Sequence, residues 1–96
     1  MFSILSKDSS LDQLNNYASI FLEENFRKKL IETGIQKAGS MNQLGRIMGY
    51  MGDAPNWNIK QILHGKRAVP LYRLKRLCTF LGMSLNEIEK HVLKTK

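Results

Sequence analysis

Met41–Arg67, MNQLGRIMGYMGDAPNWNIKQILHGKR, reads as two short helices joined by a tight connection. Leu44, Ile47 and Met48 recur at helical spacing, and Ile59, Ile62 and Leu63 repeat it, so each segment has one apolar stripe to bury. His64-Gly65-Lys66-Arg67 closes the second segment, placing a glycine stop beside fixed positive charge. Trp57, Lys60, Gln61 and His64, spaced i, i+3, i+4 and i+7, share a different stripe of that helix, one left for solvent or a ligand.

Two helices in this order and spacing form a helix-turn-helix pattern. Leu44, the small Gly45 beside it, Gly49 at the helix end and the run I-x-x-I-x-x-G-K-R from Ile59 to Arg67 resemble the Cro/repressor-like helix-turn-helix family of prokaryotic and phage DNA-binding regulators, of the xenobiotic-response-element type. VPLYRLKRL and the later LGMSLNEIE are similar to that family's fourth and fifth helices, and the resemblance covers roughly residues 24–92. It implies an all-α fold, a five-helix bundle with helices at about 24–38, 40–49, 55–64, 70–81 and 85–93. One departure is visible: the connection from Gly49 to Pro55 is longer than in most members by about one helical turn.

Working outward, Glu23–Ala38 keeps Phe26, Leu30, Ile31 and Ile35 on one face and its charges on the others, with Gly34 an internal weak point. Ser40 can cap the next helix, and Asp53 or Asn56 can cap the one after the connection. After Pro70, Leu71, Leu74, Leu77, Cys78 and Leu81 form a long apolar stripe that Gly82 stops. Ser84-Leu85-Asn86-Glu87 has capping-box spacing for a last helix with Leu85, Ile88 and Val92 inward, and Lys94–Lys96 is expected to fray. Residues 1–23 form an N-terminal extension ahead of the 24–93 domain. Phe2, Ile4 and Leu5 suit a short strand, and Tyr17–Leu22 fits either a second strand, making a β-hairpin, or a helical stripe with Leu11 and Leu14.

Ninety-six residues suffice for one small domain. The net charge of +7 is uneven, since residues 1–36 sum to −1 and residues 37–96 to +8. Six Lys/Arg and no Asp or Glu fall between Lys60 and Arg76, a potential that attracts polyanions; the bland alternative is a solvated face. A single cysteine allows no internal disulfide, and Cys78 reads as a small core residue. No apolar run approaches the ~18 residues of a membrane span and no signal-peptide pattern opens the chain, so a cytoplasmic protein is expected.

Asn56, Asn58 and Gln61 have the amide groups to pair bidentately with adenine, and Lys60 can donate to guanine. The resemblance makes Asn56, Trp57, Lys60 and Gln61 the base-reading positions, with the Trp57 indole either touching a thymine methyl or filling the gap left by the longer connection. Phosphate contacts are expected from Ser40, Asn42 and Gln43 at the amide end of the first helix and from Lys66 and Arg67, with Arg46 and Arg73 further off. His64 is expected to cap its own helix.

His64, His91 and Cys78 lack zinc-ligand spacing, and no phosphate loop, nucleophile elbow or paired-carboxylate motif occurs. The chain is therefore read as no enzyme, without metal or cofactor, that binds double-stranded DNA sequence-specifically in transcription regulation. The alternative is a basic protein-interaction module such as an antitoxin or regulatory subunit. One recognition helix reads few base pairs, so a homodimer is expected on half-sites about 34 Å apart. Phe2, Ile4, Leu5, Tyr17, Ile20 and Phe21 either supply its interface or cover their own bundle.

Overall fold

A computed structural model describes residues 10–95, in which the apolar stripes become five α-helices: α1 (Glu24–Ala38), α2 (Met41–Ile47), α3 (Pro55–Leu63), α4 (Leu71–Leu81) and α5 (Leu85–Glu89). Leu30 and Ile31 of α1, Leu44 of α2, Ile59 and Ile62 of α3, and Leu71, Leu74 and Leu77 of α4 converge on one core, joined by Met48 and Ile88. Gly34 is buried there: a Cβ would stand 3.0 Å from a Leu44 methyl and 3.3 Å from one of Leu77, so the glycine that weakens α1 also lets α2 and α4 close upon it.

The all-α expectation is overturned. β1 (Ser19–Leu22) is the middle strand of a three-stranded antiparallel sheet, flanked by β2 (Val69–Pro70) and β3 (Val92–Thr95). Ile20 and Leu22 are buried while Ser19 and Phe21 are only half so, the period-two pattern of a strand. Local periodicity in Tyr17–Leu22 suits helix or strand; what decides is that the strand finds pairing partners on both sides, Ile20 meeting Val69 on one and Thr95 on the other. The register is Ser19 to Pro70, Ile20 to Val69 and Thr95, Phe21 to Lys94 and Leu22 to Val92, with an irregularity between Phe21 and Leu22. Pro70 has no N–H to offer a ladder and sits in an edge strand, where the loss matters least.

The last helix is correspondingly shorter than 85–93, and Lys94 and Thr95 lie in β3 rather than fraying. The chain turns out of α5 because the free edge of β1 captures it: Glu23 donates its N–H to the His91 carbonyl at 2.9 Å, and the His91 ring stacks on Phe26 at 3.9 Å. Upstream of β1, a 3-10 turn, Ser10–Gln13, sets Leu11 into the core. The Ala18 and Asn16 carbonyls accept from the Leu71 and Tyr72 amides, two of the donors that the first turn of α4 leaves unmatched. Expectations for Phe2, Ile4 and Leu5 lie outside the described residues.

Candidate nucleic-acid interface

α2 and α3 are locked where α3 begins. Gly45 is buried against Pro55, and a Cβ there would stand 2.7 Å from the Pro55 Cβ and 2.8 Å from its carbonyl oxygen; only glycine permits that approach. Three residues earlier, Asn42 Oδ1 accepts the Asn56 amide at 3.0 Å. The cap of α3 therefore comes from α2, not from Asp53 or Asn56, and Ala54 at the N-cap position supplies none. Ser40 caps α2 as the sequence suggests, its Oγ accepting the Gln43 amide at 3.1 Å. Ser40, Asn42 and Gln43 are all exposed, but the Gln43 amide and the Asn42 oxygen are already engaged within the protein.

Asn56, Trp57 and Lys60 are exposed on α3, Trp57 to 52 %, while Gln61 is half-buried on the same helix. The indole thus faces outward and fills no gap behind the long connection. Arg67 folds back over it, its guanidinium carbon 5.3 Å from the ring centroid and its Nη1 donating to Asn58 Oδ1 at 2.5 Å. Trp57, Asn58 and Arg67 are therefore brought together, although Arg67 follows the end of the helix that Trp57 and Asn58 begin. Lys60 and Lys66 are exposed, and their ammonium groups make no hydrogen bond or ion pair among the described residues.

Three arginines hold this unit from behind: Arg27 and Arg76, which sequence reasoning did not assign, and Arg73, expected there only as a more distant phosphate contact. Arg27 donates from Nε to the Leu63 carbonyl at 3.3 Å and from Nη1 to the Leu22 carbonyl at 3.2 Å, so α3 is capped by α1 and not by the exposed His64. Arg73 Nη1 donates to the Met48 carbonyl at 3.2 Å and Arg76 Nε to the Ile47 carbonyl at 2.9 Å, and together they cap α2. Gly49 leaves room for them; it stands at φ 96°, and a Cβ would fall 2.9 Å from Arg73 Nη1. Two of the six cations between Lys60 and Arg76 are thus structural, and Lys75 donates to Asn16 Oδ1 at 3.0 Å. No local pattern announces the three helix caps, because each joins positions 25 or more residues apart.

Neither family models nor curated proteins nor solved structures match this chain.

The ion pairs among the described residues involve none of Lys60, Lys66 and Arg67. Glu24 meets Lys28 at 3.0 Å, a hydrogen bond that holds its carboxyl below the usual range, and Glu23 Oε1 lies 2.8 Å from His91 Nδ1. No described carboxylate neutralises Lys60, Lys66 or Arg67, so their charge is available to an anionic ligand. Among the described residues no cluster of His, Cys, Asp or Glu is arranged to hold a metal ion, and no helix is long and apolar enough to cross a membrane.

Proposed function

We propose that this protein binds double-stranded DNA sequence-specifically through α3, as a cytoplasmic transcriptional regulator of the kind the Cro/repressor-like resemblance implies. One observation carries the reading: α3 is pinned at its start by Asn42 and Gly45 and at its end by Arg27, while Asn56, Trp57 and Lys60 project from it beside cations without carboxylate partners. A rigid helix with amide, aromatic and ammonium groups on its open face meets the requirements of major-groove readout. Lys66 supplies a phosphate contact, and Arg67 does so by leaving its seat on Trp57 and Asn58. Two copies on a two-fold site complete the reading, and Ile20, wholly buried in its own chain, takes no part in their interface.

Binding of labelled duplex, single-stranded DNA and RNA across a salt series tests this. Duplex should bind best, with log affinity falling against log salt by about 0.9 per phosphate contact. Lys66→Ala should flatten that slope on every duplex, whereas Gln61→Ala should cost roughly 1 to 3 kcal/mol on the preferred site and little elsewhere. Absence of duplex binding at ~50 mM salt, where such contacts are strong, with capture of an acidic protein instead, would replace DNA binding by the interaction module.

A further inference from the structure

Beside α3, where the chain passes from Arg67 through β2 into α4, lies a cleft of about 430 Å³ lined by Tyr50, Asn58, Arg67, Tyr72 and Arg73. Tyr50 is 8 % exposed, and its hydroxyl is buried with no hydrogen-bond partner among the described residues. A buried hydroxyl left unmatched costs stability, so an acceptor that reaches it is favoured. The guanidinium of Arg73 lies between two aromatic rings, 4.1 Å from the Tyr50 centroid and 4.9 Å from that of Tyr72. It gives one N–H to the Met48 carbonyl; Arg67, on the same cleft, gives one to Asn58. The other donors of both forks are unassigned, and no described carboxylate pairs with either.

We infer that this cleft binds the phosphate group of a phosphate ester. Two guanidiniums, two phenol hydroxyls and an amide offer more donors than the two oxygens of a carboxylate accept, and suit the three terminal oxygens of a phosphate monoester. The volume exceeds that of the anion alone and lies in the range of small-molecule sites, leaving room for the group that the phosphate esterifies. Burial pushes the Tyr50 hydroxyl pKa up against the pull of Arg73 and Arg67, so it stays a protonated donor. Arg67, the exposed member, is the one to swing as the ligand enters.

The phosphate comes either from a small metabolite-sized ester or from the DNA backbone, and titration with phenyl phosphate at constant ionic strength, followed by the arginine Nε–H and backbone amide resonances, separates the two. Saturable shifts confined to the cleft are expected without DNA. Tyr50→Phe and Arg67→Gln should each weaken phenyl phosphate roughly tenfold, the loss of one hydrogen bond to a charged group, while Lys66→Ala leaves it unchanged. Tyr50→Phe should not lower the Tm of the free protein, because the hydroxyl it removes has no partner. Competition between phenyl phosphate and duplex assigns the phosphate to DNA; binding of both at once assigns it to a small ester. Non-saturating shifts spread over Lys60 and Lys66, or both variants binding like the wild type, would overturn the site whether or not the protein binds duplex.

Discussion

Asn42 on α2 holds the first turn of α3, its side-chain oxygen 3.0 Å from the Asn56 amide. Capping oxygens usually come from the residue just before the helix, and here that residue is Ala54. The orientation of the exposed helix is thus written into its neighbour. Asn42→Ala should lower stability by ~1 kcal/mol, the usual worth of a cap, and Asn42→Asp should restore most of it. Urea denaturation of the three proteins measures this, and an alanine variant as stable as the parent would mean that α3 is seated by other contacts.

Gly45 and Gly34 are both buried helical glycines, yet they should respond unequally to alanine. At Gly45 the added methyl meets Pro55 backbone and ring at 2.7 to 3.0 Å, which cannot give way without moving α3, so a loss of ~1 to 3 kcal/mol is expected. At Gly34 it meets the ends of Leu44 and Leu77 at 3.0 to 3.3 Å, which can shift, and the ~1 kcal/mol gain in helix propensity offsets the crowding. Thermal melts should place Gly45→Ala well below the wild type and Gly34→Ala near it. The reverse order would show that the α2–α3 contact is looser than the α1 packing.

Cys78 gives a pH signature. Burial, with Glu87 adding a smaller effect, pushes its thiol from 9.0 to about 11. Below pH 9 both folded and unfolded chains keep the proton and the contribution to stability is whole. Between 9 and 11 the unfolded chain releases it first, so stability falls as pH rises, by roughly 2 to 3 kcal/mol at most. Urea midpoints of the wild type and Cys78→Ala from pH 8 to 11 should diverge over that window, the wild type falling faster. Parallel curves would show that the thiol is not shielded from solvent.

Much of α1 to α4 was legible because their apolar stripes are local: Leu30 with Ile31, Leu44 with Met48, Ile59 with Ile62 and Leu74 with Leu77 declare their helices within a few residues. The sheet was not. Val92 continues the spacing of Leu85 and Ile88 as well as any helix would, and only the edge of β1, distant in sequence, turns it into a strand. The same holds at the candidate site. Trp57 and Lys60 stand on the open face that their spacing implies, whereas the capping work of Arg27, Arg73 and Arg76 follows from tertiary placement and reads in sequence only as charge.

The central position of β1 also orders events as the chain is made. Its partners are Val69–Pro70 and Val92–Thr95, so Leu22 waits for Val92, 70 positions later. Contacts of such long separation close slowly, and during synthesis the N-terminal partner emerges well before the C-terminal one exists. The helices from α1 to α4 can gather around Leu44 and Leu74 in the meantime, and closing of the sheet by β3 is then the last step. Until that step Ile20 and Leu22 belong to a strand with one open edge, which makes the nascent chain, more than the finished protein, the species most exposed to pairing with a neighbour.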